Sequence, residues 1–279
     1  IAPQVCIVLA MTADIQRVAQ ELISTNGTNI TVVGDKAVAE SLARFATRGK
    51  VNYFDVNGQP LDMDAMAAPT DVSAKSVLED YVKAIGGMDA LKGVKNITQT
   101  MEANIQGQTI VQTFYKADGD KFSTQTQMMG MTVADQRYNA GKVKMVQQGN
   151  VMEATEEMIT GLKNQAALFP TAALLEDMEK VSVSGTEMIE GKKAIILDVK
   201  GPTGTAQYYF DADSKLLVRQ VRSQGGQAVT VDFGDYKAVG DVMFPHMMSI
   251  SGMMPFPLEM KTKDMKVNTE IDPALFETE

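Results

Sequence analysis

The sequence predicts an α+β fold: a small αβαβ segment, then a large curled antiparallel sheet of about eleven strands, an incomplete barrel covered by helices. Three observations predict it. Between residues 193 and 235, Ile195, Leu197 and Val199 alternate with Ile196, Asp198 and Lys200, and Ala206, Tyr208 and Phe210 alternate with Gln207 and Tyr209. A two-residue period of this kind marks strands with one face on a core and the other toward water. The runs are separated by Gly-Pro-Thr-Gly, Asp-Ala-Asp-Ser and Gln-Gly-Gly, turn sequences that join neighbouring strands as an antiparallel meander. Finally, so many strands in one sheet must curl, and helical patterns at 74–92 and 152–178 are available to cover the concave side.

The αβαβ segment comes first. Thr12 and Asp14 can cap a helix through Ile23, in which Ile15, Val18, Ala19, Leu22 and Ile23 share one face. Asn26-Gly27 stops it, 30–33 reads as a strand, 38–45 as a helix, and 51–56 as a strand closed by Asn57-Gly58. Fewer than sixty residues bury little core, so the segment's strand edges are expected to pair with another copy as a homodimer, or with the chain's own sheet. Residues 59–73, rich in Pro, Ala and Asp without periodicity, read as a linker. The domains expected are therefore 1–58 and 74–279.

In the second domain Val77, Leu78, Tyr81, Val82 and Ile85 form the apolar face of a helix that Gly86-Gly87 breaks. Strands are expected at 97–105, 108–116, 121–129, 131–139 and 142–147. The helical excursion at 152–178 is divided at Phe169-Pro170, and the meander follows from Val181 through strands at 244–250 and 258–267. In the last of these Leu258, Met260 and Thr262 have one parity and Met265 and Val267 the other, which predicts a β-bulge near Lys263-Asp264.

Composition excludes several functions. With a net charge of −9 and no Lys/Arg cluster, nucleic acid is not an expected partner. One Cys, Cys6, excludes an internal disulfide and any multi-Cys metal site. The apolar run 1–11 falls short of the roughly 20 residues of a membrane helix and lacks basic residues before it, so Ile1 reads as an internal start. The single His246 has no triad partners near it in sequence, and Glu153, Glu156 and Glu157 have the spacing of a solvated helix face. Asp211-Ala-Asp213-Ser214 lacks the remaining ligands of a calcium loop and reads as a hairpin turn. No catalytic residue, metal site or cofactor is expected in this chain.

What stands out is 20 Met and no Trp. Met is flexible and polarisable, and surfaces that accept varied apolar ligands use it in excess. Met128, Met129 and Met131 surround Gly130, and Met243, Met247, Met248, Met253, Met254 and Phe256 crowd a second region. The candidate ligand-binding residues are Met128, Met129, Met131, Met247, Met253 and Phe256, expected to line or rim an apolar groove; the alternative is ordinary core packing.

Two resemblances add to this. TADIQRVAQELI, NITVVGD and VNYFDVNG, within residues 10–58, resemble the C-terminal end of an insulinase- or pitrilysin-type zinc metallopeptidase domain. That implies a peptidase-like subunit tail, but with one His in the chain the family's H-x-x-E-H zinc site cannot be assembled here; zinc would belong to an upstream domain. VLEDYVKAIGGMDALKGVKNI, VSGTEMIEGKKAIILDVKGPTGTAQYYFDADSKLLVRQ and VMFPH…VNTEIDPALF, spanning residues 75–277, resemble the periplasmic lipoprotein carrier and its outer-membrane receptor. That resemblance implies a half-barrel with a helical lid that binds a lipid, an acyl chain or another apolar ligand, in the bacterial periplasm or at the periplasmic face of the outer membrane. The expected function is thus a non-catalytic envelope protein. The alternatives are the tail of an active zinc metallopeptidase, and a docking module for a peptidase-subunit partner.

Overall fold

The computed structural model describes residues 16–18, 31–33, 39–46, 51–54, 58, 60–61, 71–201, 204–224 and 227–279. The chain divides into two compact units, residues 1–61 and 62–279.

In the first unit, residues 16–18 are helical, α1 spans Ala39–Leu42 and runs into a 3-10 turn at Ala43–Phe45, and β1 (Tyr53–Phe54) pairs antiparallel with β2 (Pro60–Leu61). The strand expected at 30–33 is not formed over its described part, since residues 31–33 carry no strand pairing and are exposed. The helix expected at 38–45 is formed over its described residues 39–45 and the strand expected at 51–56 over 53–54, while most of the helix expected through Ile23, and the turn at Asn26-Gly27, lie outside the described residues.

The second unit is built on a single antiparallel sheet of thirteen strands in the order β8-β7-β6-β5-β4-β3-β15-β14-β13-β12-β11-β10-β9. Its strands are β3 (Asn96–Ile105), β4 (Gln108–Ala117), β5 (Lys121–Met128), β6 (Met131–Asn139), β7 (Lys142–Gln147), β8 (Asn150–Met152), β9 (Val181–Ile189), β10 (Lys192–Gly201), β11 (Gly204–Asp211), β12 (Leu217–Gln224), β13 (Gln227–Val239), β14 (Val242–Ser251) and β15 (Leu258–Val267). The sheet stays open, with β8 and β9 as its edges. All but one of its neighbours are joined by hairpin connections; the exception is β15 beside β3, which brings the last strand back to the first.

Turn chemistry sets much of this path. Gln106-Gly107, Met129-Gly130, Ala140-Gly141, Gln148-Gly149 and Glu190-Gly191 each place both residues at positive φ. This is the mirror-image two-residue turn whose twist matches that of the flanking strands. Met129 therefore belongs to a turn, and β5 ends at Met128 rather than at 129. The bulge expected near Lys263-Asp264 is present: pairing with β3 shifts between Thr262 and Asp264, so Leu258, Met260, Thr262, Met265 and Val267 all reach one face.

Helices cover one face, here the inner face. α2 (Ala74–Ala84) starts on a capping box in which the Ser73 and Ser76 side chains each serve the other's backbone N–H. Its Val77 and Leu78 pack on Val181, Leu197, Val199, Phe210 and Leu217. Gly86 ends the helix at φ +128, and a Cβ there would lie 2.3 Å from the Asp241 carbonyl, so only glycine allows the helix end to approach the β13–β14 turn. The Met243 N–H donates to the Ile85 carbonyl at 2.9 Å and completes this junction. α3 (Met88–Gly93) adds Leu91 to a second cluster with Val82, Ile85, Val94, Ile97, Val242 and Phe244. The excursion after β8 forms α4 (Glu156–Ala166), capped by Thr155, and α5 (Pro170–Ala173), which begins on Pro170. Leu162 and Ala166 of α4 pack on Phe122 and Tyr138, while Phe169 stacks on Phe244.

Candidate ligand-binding face

Strand register decides which side chains share the inner face with the helices, because directly opposed residues point the same way. Ile97, Gln99, Met101 and Ala103 of β3 oppose Lys116, Phe114, Gln112 and Ile110 of β4. These in turn oppose Phe122, Thr124, Thr126 and Met128 of β5. Tyr138, Gln136, Ala134 and Met131 of β6 continue the rows, the last two bracketing a register shift. On the other side, Thr262 opposes Met101, and Met260 and Leu258 oppose Met248 and Ile250 of β14.

Along this face the rows divide. Those near the helices, Ile97, Phe122, Tyr138, Val242 and Phe244, are covered by helical side chains. Farther along the strands, Met101, Ala103 and Met260 form a buried cluster with Phe114, Met248, Ile250 and Leu258, and every member of it belongs to the sheet. Ile110, Met128 and Met131 extend the same face toward the strand ends, half-buried or exposed. Polar side chains are interleaved: Gln99 donates to the Thr262 hydroxyl and the Pro245 carbonyl, Gln112 donates to the Thr126 hydroxyl, and the buried Thr124 hydroxyl has no protein partner.

Lys116 is the sole Lys, Arg, His, Asp or Glu on this face among β3 to β6. Its amine donates to the carbonyl of Ala167, the C-cap of α4, at 3.2 Å, and burial pulls its pKa from 10.5 down to about 8. The contact joins the helical cover to the sheet and sets a cation against a helix C-terminus. Sequence reading missed it, although its parity with Ile110 and Phe114 was a signal.

The six candidate residues are placed as follows. Met128 and Met131 oppose one another on the inner face. Met129 occupies the turn between them and is 75% exposed; Met131 is 66% exposed. Met253, 59% exposed, and Phe256, 41% exposed, lie in the β14–β15 loop. Met247 opposes Lys261 on the outer face, where its methyl group lies over Gly234. The two groups lie at the same end of the sheet but about 20 Å apart across the strands β5, β4, β3, β15 and β14.

A small cavity of about 100 Å³ opens elsewhere, between α2 and the β10–β11 pair, lined by Val72, Ser76, Val77, Asp80, Ile195, Phe210, Asp211 and Lys215. It has room for roughly three water molecules. None of the candidate residues lines it. The Asp211 carboxylate beside it accepts from the Ser214 and Asp213 backbone N–H groups and the Ser214 hydroxyl. Burial pushes its pKa up, but those hydrogen bonds outweigh burial and hold it below the usual carboxylate range. The loop is a self-capped turn. His246 meets the Phe244 carbonyl at 3.0 Å, Glu153 and Glu156 are exposed, and among the described residues no group of three or more His, Cys, Asp or Glu could hold a metal. Among the same residues no helix is long and apolar enough to cross a membrane.

No family model and no curated protein matches the chain, so the peptidase-like resemblance of residues 10–58 finds no support in either comparison. Among solved structures the chain is similar to a DUF1329 family protein from Desulfovibrio piger, at 12% identity and TM-score 0.49, over 73% of this chain and 97% of that one. It is similar to a LolA superfamily protein from Nitrosomonas europaea at 11% identity and TM-score 0.49, over 74% and 98%. It also matches the Mycobacterium tuberculosis lipoprotein LppX at 13% identity and TM-score 0.29, over 71% and 97%. No residue role is carried over from any of them.

Proposed function

We propose that the open sheet binds an apolar ligand (a lipid acyl chain or an extended apolar segment) along the part of its inner face beyond the helices, and that it does so without catalysis. The observation that carries this reading is the sheet-only cluster of Met101, Ala103 and Met260, extended on the same face by Ile110, Met128 and Met131. Flexible thioethers there can repack around ligands of different shape. Gln99, Gln112 and Thr124 supply hydrogen-bonding groups for a polar head. An envelope location on the periplasmic side belongs to the same reading, supported by the resemblance of residues 75–277. A peptidase-subunit partner and a homodimer through residues 1–58 form no part of it.

Titrating the delipidated chain with an environment-sensitive fluorescent fatty acid tests the proposal. Saturable one-to-one binding is expected, weakened roughly tenfold or more in Ile110→Lys, because a charge would then have to be buried against the acyl chain. The half-buried position of Ile110 lets the variant fold. Wild-type protein that never saturates, or Ile110→Lys that binds equally well, would remove the reading.

A further inference from the structure

The meander sends alternate connections to opposite ends of the sheet, and their chemistry is segregated. At the helical end the connections are Asp118-Gly119-Asp120, Ala140-Gly141, Glu190-Gly191, 212–216 and Gly240-Asp241. Each contains an ionisable residue or, in the case of Ala140-Gly141, is followed directly by Lys142. At the distal end they are Gln106-Gly107, Met129-Gly130, Gln148-Gly149 and 252–257, Gly-Met-Met-Pro-Phe-Pro. None of these four contains an ionisable residue, and none has one within two residues on the β3, β4, β5, β6, β7 and β8 sides, while Glu259 stands two residues beyond the 252–257 loop. The sequence supplies Pro-Thr and Gly-Gly, again uncharged, where the chain passes from β10 to β11 and from β12 to β13. Apart from Glu259, the charges at this end are Arg222, two residues inside β12, and a group at the β9 corner, where Lys200, Glu179 and the paired Lys180 and Asp177 sit.

Large apolar side chains stand in water at this uncharged end, namely Met129, Met131, Val151, Met253 and Phe256; Met88, Met158 and Met188 are exposed toward the helical end, but there charged connections surround them. Met129 is the sharpest case. It holds φ +53 in a turn that Asn, Asp or Gly fills with less strain, and its side chain stands in water. Neither turn formation nor burial in the core accounts for a Met at that position.

We propose that this distal rim docks on an electrically neutral lipid surface, with the 252–257 loop and the Met129 turn entering its interfacial layer. Entering a low-dielectric layer is costly for a charge and favourable for Met and Phe, so a rim built for it carries the second and omits the first. A chain with net charge −9 gains nothing from anionic lipid, which points to a zwitterionic or uncharged surface. The apolar residues sit on separate turns rather than on one continuous patch, which suits a fluid layer that closes around each tip better than a rigid protein partner. This docking does not depend on the inner face holding a ligand.

The absence of Trp allows a clean test on the full chain. A single reporter is introduced as Phe256→Trp at the distal loop or as Met188→Trp, an exposed site near the helical end. Each is mixed with phosphatidylcholine vesicles. The account expects the emission of Phe256→Trp to shift to the blue and to be quenched by lipids brominated on the acyl chain, while Met188→Trp is unchanged. Raising the salt to about 1 M, where the screening length is about 3 Å, leaves the response in place. Adding Met129→Asn and Met253→Asn to the Phe256→Trp chain lowers the bound fraction roughly tenfold; Asn suits the turn at 129, so folding is not at risk there. No response from either reporter, equal responses from both, or binding abolished by salt would each overturn the proposal. Fatty-acid binding in solution can fail or succeed independently of this result.

Discussion

The helix-covered part of the inner face and the part beyond it use apolar residues differently. Under α2, side chains from two elements interlock: Leu78 is fully buried against Leu197 and Phe210, and the cluster mixes branched aliphatic and aromatic groups of defined shape. Beyond the helices the cluster around Met101 draws on the sheet alone, with Met260, Met248 and Leu258 as neighbours. Fixed shapes on two facing surfaces favour one packing, whereas thioethers on one surface tolerate several. The difference separates a region that stabilises the fold from one that is suited to accept a guest.

Two substitutions in cores of equal burial break this comparison most directly. Leu78→Ala is expected to destabilise by about 3–4 kcal/mol, because the interlocked cavity cannot close. Met101→Ala, equally buried, is expected to cost nearer about 2 kcal/mol, as the surrounding methionines relax into the space. Urea unfolding of both variants measures the difference; equal losses would mean that the two regions pack alike.

A smaller effect sharpens the boundary between the two regions. Lys116 has a folded-state pKa lowered to about 8, so the folded protein disfavours its charge. Below pH 8 the folded and unfolded forms are both protonated and the full penalty applies. Between about 8 and 10.5 the unfolded chain holds more protons, stability rises with pH, and the penalty has gone above that window. Lys116→Met should therefore stabilise by about 1–3 kcal/mol at pH 7 and by almost nothing above pH 10.5. Unfolding midpoints across that range test it, and a variant destabilised at pH 7 would show that the contact with Ala167 outweighs the cost of burial.

Much of this was legible in the residues because strands and turns are local. Alternation at 193–200 and the parity change at 262–265 gave strand and bulge, and Phe169-Pro170 divided the helical segment as the structure does. β8 was not legible, since three residues show no period, and it raises the count from about eleven strands to thirteen together with the finer division of the meander. The candidate face was harder because facing depends on register between strands far apart in sequence. Parity within β14 could not show that Met248 faces inward beside Met260 while Met247 faces out; that required the pairing with β15. Lys116 was passed over because an isolated lysine in a strand usually reaches water, and only the position of α4 takes that option away.

The central claim is that the apolar strip beyond the helices receives a ligand. Photolabelling of the intact chain with a diazirine-bearing fatty acid, followed by peptide mapping, tests it most directly. The account predicts label on the peptides of β3 to β6 and β15 that carry Met101, Ile110, Met128, Met131 and Met260, in competition with unlabelled fatty acid. Label concentrated under α2, around Leu78 and Phe210, or spread over the outer face without competition, would contradict it.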